Sequence, residues 1–173
     1  AAINPDFGQV EVDQSVLNLT VFETFYPEKR PFFLEGSQIF TFGNLFDNRQ
    51  LRLFYSRRIG RKPPVPYGSL SSGYYLAEEP LTTTILGAAK LTGRTDAGLS
   101  IGILSVATGL EEGIEEDLSG KRKPPIIFER QAQYHALRLN QDIGDNSTIG
   151  LMTTGAFKDL RSPSLSGGVD WKL

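Results

Sequence analysis

The chain of 173 residues carries 18 Lys plus Arg against 20 Asp plus Glu, a net charge of −2 that gives no electrostatic footprint for nucleic acid. It contains no Cys, which excludes disulfides, thiolate catalysis and Cys-based zinc sites. Hydrophobic residues at 39% and charged residues at 22% argue against wholesale disorder. No stretch approaches the ~20 consecutive apolar residues of a membrane-spanning helix.

Residues 1 to about 80 hold few periodic segments. Ala1-Ala2-Ile3-Asn4-Pro5 has neither the basic region nor the apolar core of a signal peptide, so a leader has been removed or the segment lies inside a longer chain. Residues 10–13 form a short strand candidate, and residues 16–22 a strand or short helix. Phe25-Tyr26-Pro27-Glu28-Lys29-Arg30-Pro31-Phe32-Phe33-Leu34-Glu35-Gly36 comes next. Its prolines are incompatible with a regular helix or a central strand. Its aromatics imply that it nonetheless packs against something. Residues 51–59 are expected to form a strand, and the proline-rich residues 62–68 a loop.

From residue 82 onward the pattern changes to alternation with period two, which puts one set of side chains on each face of a strand. In residues 84–95 the alternation places Ile85, Ala89 and Leu91 on one face and Thr84, Lys90, Thr92 and Arg94 on the other. Asp96-Ala97-Gly98 makes a tight turn into Leu99, Ile101 and Ile103. Residues 110–125 are expected to be a long polar loop, acidic and then basic. A strand over 128–139 turns at Asp142-Ile143-Gly144-Asp145-Asn146 into another over 147–157, and a last begins near Leu165 with Val169, Trp171 and Leu173 on one face. Apolar Ile, Leu and Trp on one face, with Gly, Thr, Ser and Lys on the other, suits a wall between lipid and water. Segments of ~10–12 residues match the span of a tilted strand across the hydrocarbon. Short turns alternating with a long loop suit the two ends of an outer-membrane barrel. Ile85, Leu99, Ile149 and Trp171 are the expected lipid contacts.

The fold class expected is therefore all-β: an antiparallel transmembrane β-barrel over residues 81–173, incomplete in this chain, preceded by an irregular Pro/aromatic-rich plug or periplasmic collar over residues 1–80. About five long strands are too few for a closed membrane barrel, which needs about eight or more. Remaining strands are expected on further residues of the same protein or on other subunits, since unpaired edge groups in lipid cost several kcal/mol each.

Several groups invite a chemical reading. Glu23, Glu28 and Glu35, with Lys29 and Arg30, could supply an acid/base pair for a glycoside. No spacing selects such a pair, and salt-bridged packing of a plug motif is the preferred reading. Asp6, Glu11 and Asp13 lack the spacing of a calcium loop, and no metal or cofactor is expected. Arg57 and Arg58, with Arg61 and Lys62, read as lumen or rim residues paired with nearby acids, as do Lys90, Arg94 and Arg138 on polar strand faces, with Lys172. His135, the single histidine, has no nucleophile motif nearby. Gly87, Gly93, Gly102 and Gly150 fall inside strands, suiting close packing or curvature and not a phosphate loop.

The strings running from Asn4 to Gln14, from Phe22 to Gly36, Leu53-Phe54-Tyr55-Ser56-Arg57-Arg58-Ile59-Gly60 and Ile85-Leu86-Gly87-Ala88-Ala89-Lys90-Leu91-Thr92-Gly93 resemble, in order and spacing, consecutive motifs of one family. Its members are large bacterial surface proteins with an N-terminal carbohydrate-binding-like (family 9 type) β-sandwich followed by a domain of unknown function. The resemblance implies an outer-membrane β-barrel for that second domain and assigns no reaction. The function expected is that of a pore, a transport component or a surface scaffold in the bacterial outer membrane. Its partners would be outer-membrane lipids and polysaccharide or another surface protein. The alternatives are a soluble β-rich carbohydrate-binding module and part of a glycoside hydrolase.

Overall fold

The computed structural model describes residues 25–43, 51–66, 68 and 70–172, together with the backbone of residues 2–3. The strand candidates at 10–13 and 16–22, the oxygen cluster Asp6, Glu11 and Asp13, and Glu23 lie outside the described residues.

The described strands are β1 (Ala2–Ile3), β2 (Tyr74–Glu78), β3 (Ile85–Arg94), β4 (Leu99–Thr108), β5 (Glu111–Asp117), β6 (Ile126–Glu129), β7 (Ala132–Ile143), β8 (Ser147–Lys158) and β9 (Ser164–Lys172). Six of them form one antiparallel sheet in the order β1-β3-β4-β7-β8-β9, and the other three a second sheet in the order β2-β5-β6. In the described residues the large sheet is open, with β1 and β9 at its edges. Tight turns close one end of it. At the first, the Thr95 carbonyl accepts from the Gly98 N–H at 3.0 Å, and Gly98 sits at φ +80°, where a side chain would be strained.

At the opposite end the chain departs from expectation. Residues 110–125 are not a loop throughout, because β5 occupies Glu111–Asp117. Thr108 lies opposite Ala132 and Glu111 opposite Glu129, so β4–β5 and β6–β7 keep one register and make a continuous two-stranded ribbon that outruns the sheet. The single strand expected over 128–139 is thus two, interrupted at Arg130-Gln131. Residues 51–59 are not a strand either: Ser56–Arg58 is a 3-10 turn. There the Leu51-Arg52-Leu53 alternation reflects irregular chain packed on the sheet.

The register puts rows of side chains across the sheet. On one face, Thr92, Gly102, Arg138, Met152 and Gly168 lie side by side, next to the row Lys90, Leu104, Ala136, Thr154 and Ser166. Residues 25–43 and 51–60 cover this face. A one-turn helix α1 (Pro31–Leu34) starts at Pro31, whose fixed φ suits the first helical position. The chain reverses at Gly36, at φ +64°, into the 3-10 turn Ser37–Phe40. Phe33, Phe40, Phe42 and Ile59 from this segment then pack on Ala88, Leu104, Val106, Ala136 and Met152 of the sheet. Burying one such side chain contributes about 1.5–3 kcal/mol. Glycines in the covered rows make room for the rings. A Cβ on Gly102 would stand 2.7 Å from Ile39 and 3.1 Å from Phe40, and one on Gly168 would stand 2.7 Å from Phe42.

The other face presents the rows Gly93, Ile101, Leu139, Leu151 and Val169, and Leu91, Ile103, Leu137, Thr153 and Gly167. Nothing among the described residues covers it: Leu91 is 62% exposed, Val169 54% and Trp171 70%. Ile85 is a correction. It is 4% exposed on the plug side, because a bulge between Ile85 and Gly87 shifts the alternation by one residue. Ile149 and Trp171 lie on the bare face as expected, and Leu99 is half-buried there.

Gly102→Val is expected to destabilise the fold by about 1–3 kcal/mol through overpacking against Ile39 and Phe40. Gly93→Val, with nothing within 4 Å of its Cβ, should change stability by no more than about 0.5 kcal/mol. Denaturant unfolding of the two variants checks the contrast.

Candidate functional site

The polar residues of the covered face and the segment lying on it form one clamped interface, built from three cations. Arg30 is the first. Its guanidinium donates to Glu28 Oε1 at 2.8 Å and Oε2 at 2.7 Å, to the Ile59 carbonyl at 2.7 Å and to the Ser56 carbonyl at 2.9 Å. It also lies 4.2 Å over the Phe33 ring. Glu28 accepts in turn from the Ser56 hydroxyl and from the backbone N–H of Lys29 and Arg30. The expected plug motif is therefore an internal staple tying residues 27–33 to residues 55–60. Burial pushes the Glu28 carboxyl up. The hydrogen bonds from Arg30, Ser56 and the Arg30 backbone outweigh it and hold the group below its ordinary value.

Lys90, in mid-β3, is the second cation. Its ammonium donates to the carbonyls of Phe32 and Glu35, at the C-terminal end of α1, and stands 5.0 Å over the Phe32 ring. Arg138 is the third. Its two terminal nitrogens meet Asp170 of β9 at 2.5 and 2.9 Å, a bidentate pair across β8. Asp170 Oδ2 also accepts from the Gly43 N–H at 2.9 Å, and Arg138 lies 5.5 Å over the Phe42 ring. The ion pair thus fixes Gly43 of the covering segment as well as joining β7 to β9. The Arg138 side chain is 6% exposed and that of Asp170 20%, so removing either partner strands the other in a poorly solvated site.

The other expected site residues are dispersed. Arg94 pairs with Asp142 near the tight-turn end of the sheet. Arg57 is on the plug segment and not on the wall, donating to the Pro27 carbonyl at 3.1 Å. Arg58, in the same 3-10 turn, is exposed. Lys62 pairs with Glu79 at 2.9 Å. Lys29 and Glu35 have exposed side chains, and Lys172 lies exposed near the end of β9. Glu28 bonds Arg30, while Glu35 gives its carbonyl to Lys90 and acts on that ammonium through its charge, so the two carboxylates serve different cations. His135 lies on the bare face, edge-to-face with Phe157 at 5.6 Å. Among the described residues no group of three or more His, Asp and Glu is arranged to hold a metal ion.

Sequence reasoning missed Asp142 and Asp170, the acids that answer Arg94 and Arg138. Their polar-face parity was visible, but pairing across strands was not. It also missed Glu115, which is 1% exposed in β5 and accepts from the Ser71 N–H at 2.9 Å and hydroxyl at 3.1 Å. Between the plug segment and the sheet lies a cavity of about 210 Å³, lined by Phe33, Phe40, Phe54, Tyr55, Glu28 and Lys90. Glu28 and Lys90 are both occupied by the contacts above, so the arrangement holds chain against chain.

Because the Glu28 carboxyl is held below its ordinary value of 4.5, its contribution to stability is complete above that pH and is lost as the pH falls through the lower folded value. Proteolysis of residues 25–60 in the full protein is therefore expected to accelerate below pH 4.5. In Glu28→Gln the acceleration should be smaller, starting from a higher cleavage rate at neutral pH.

Neither the curated proteins nor the solved structures provide a significant match to the chain. The family described as a domain of unknown function, DUF5916, matches residues 1–163, so nearly all of the described sheet and plug segment falls within it, and the chain belongs to that family.

Proposed function

We propose that this chain forms part of a β-barrel wall in a bacterial outer membrane, with residues 25–60 held on the lumen side. The protein would work as a pore, a transport component or a surface scaffold, without chemistry of its own. One observation carries the reading: the face of the sheet left uncovered is apolar. It carries Leu91, Ile103, Leu151, Val169 and Trp171, while the covered face holds the core residues Leu104, Val106 and Met152 together with Lys90, Arg138 and Asp170. In water the uncovered face of a one-sided antiparallel sheet is polar as a rule, and an exposed apolar patch suits contact with lipid or another apolar surface. Strands β3, β4, β7, β8 and β9 have 9 to 12 residues, the length that crosses a hydrocarbon core when tilted.

The two ends of the sheet suggest an orientation. Tight turns suit the periplasmic side and the β4–β5/β6–β7 ribbon suits the outside, where barrel loops are longer. The open edges call for further strands, and the bare rows for acyl chains. Polysaccharide or another surface protein would meet the ribbon. The covering segment favours a scaffold or a gated carrier over a free pore, since Lys90 and Arg138, the two sheet cations that would line an open lumen beneath it, are engaged in holding it. The competing reading, a soluble carbohydrate-binding module, needs a second sheet over the bare face.

The test is a charge placed on each face of the full protein folded into lipid vesicles. Leu151→Arg, on the bare face, should cost about 2–4 kcal/mol of folding stability. Ser166→Arg, an exposed position on the covered face, should cost less than about 1 kcal/mol. Equal small effects would contradict the proposal.

A further inference from the structure

We infer that the groove where the ribbon leaves the sheet is a binding site for a small oxyanion-bearing solute, of the size of a sugar phosphate. The groove encloses about 360 Å³, within the range of small-ligand sites. One wall is Pro64, Val65 and Pro66, and the other carries Arg130, Lys158 and Arg161. Lys158 is neutralised by Glu129, 2.8 Å away. Neither Arg130 nor Arg161 meets a carboxylate among the described residues, so the groove holds an excess of two positive charges in a chain whose net charge is −2.

The site is built, not incidental. The proline wall has restricted φ and few donors of its own. Ile127 and Phe128 complete the apolar part of the lining. Arg161 is aimed by a strained turn. Leu160 adopts φ +56°, the one positive φ outside glycine among the described residues. The turn is fixed by bonds from the Asp159 N–H to the Gln131 carbonyl at 3.0 Å and from the Arg161 N–H to the Lys158 carbonyl at 3.1 Å. Strain of this kind costs about 1–3 kcal/mol and persists where the surroundings enforce it. Each guanidinium fork can pair with two oxygens of a phosphate or carboxylate at once, which a lysine ammonium does not.

Lys158 shares the alternation of the covered face, with Ala156 and Thr154, so the groove opens beside the plug segment and away from the bare rows. A solute in aqueous solution reaches it there, and a lipid headgroup at the outer surface of the wall does not. The site rests on the membrane reading only for which solution the groove faces.

The test is calorimetric titration of the full protein in detergent, at low salt, with glucose 1-phosphate, citrate and glucose. Saturable binding of glucose 1-phosphate or citrate, without binding of glucose, is expected, and the arm that binds tells phosphate from carboxylate recognition. Arg130→Gln and Arg161→Gln should each weaken binding about tenfold, and the double variant should abolish it. Arg130→Lys and Arg161→Lys, which keep charge and fold, should fall between. Equal binding of glucose, unchanged binding in the double variant, or no saturable binding of either oxyanion by the natural protein would overturn the site. Binding retained by a protein shown to be water-soluble would leave the groove standing and remove only its membrane setting.

Discussion

The structure depends on the two-residue period of β3, β4, β7, β8 and β9, which puts one face of the sheet under residues 25–43 and 51–60 and leaves the other, rich in Leu, Ile, Val and Trp, uncovered. Register makes the sorting cooperative. Gly93, Ile101, Leu139, Leu151 and Val169 fall on one line, and Thr92, Gly102, Arg138, Met152 and Gly168 on the line behind it. A slip by one residue would turn Leu137 and Leu139 of β7 toward the covered side and Arg138 away from Asp170.

That sorting makes the clamp on the plug segment possible. Apolar packing supplies the area, through Phe33, Phe40, Phe42 and Ile59 against Leu104, Val106 and Met152. Position comes from the polar contacts. Lys90 engages the carbonyls at the end of α1, Arg30 binds two carbonyls and Glu28 within the segment, and the Arg138–Asp170 pair reaches Gly43. Such charge-assisted bonds are worth more than neutral ones when both partners are shielded, and each leaves an expensive orphan if its partner is removed. A segment so held is fixed against the sheet at several points, and under the proposed reading that favours a scaffold or gated carrier over an open tube.

Much of this was legible in the residues themselves. The alternation of β3, β4, β8 and β9, the two tight turns, and the polar-face parity of Lys90, Arg94 and Arg138 can be read directly from spacing. The misread elements have physical causes. Ile85 obeys the alternation on paper, but the bulge beside it inserts one residue and turns it inward. The charges of Glu111-Glu112 and Glu115-Glu116-Asp117 disguised β5 as a solvated loop, although Glu115 is buried and satisfied by Ser71. Leu51-Arg52-Leu53-Phe54 has the residue types of a strand, but Leu51 and Arg52 are exposed and Leu53 and Phe54 part-buried, so burial there follows irregular packing and not a two-residue period. The acids that complete the site, Asp142 and Asp170, stand in other strands, and pairing over that separation is set by register, which no local pattern records.

The central claim is that the bare rows face acyl chains. Since the chain has no cysteine, a nitroxide attached at Leu91→Cys, Leu151→Cys or Val169→Cys reports one position at a time, and Thr92→Cys and Ser166→Cys serve as references from the covered face. In vesicles, the first three labels are expected to relax readily with dissolved oxygen and poorly with a water-soluble nickel chelate, with the reverse or little response at the references. Efficient relaxation of the Leu91, Leu151 and Val169 labels by the nickel chelate would place the apolar face in water or against protein and contradict the claim.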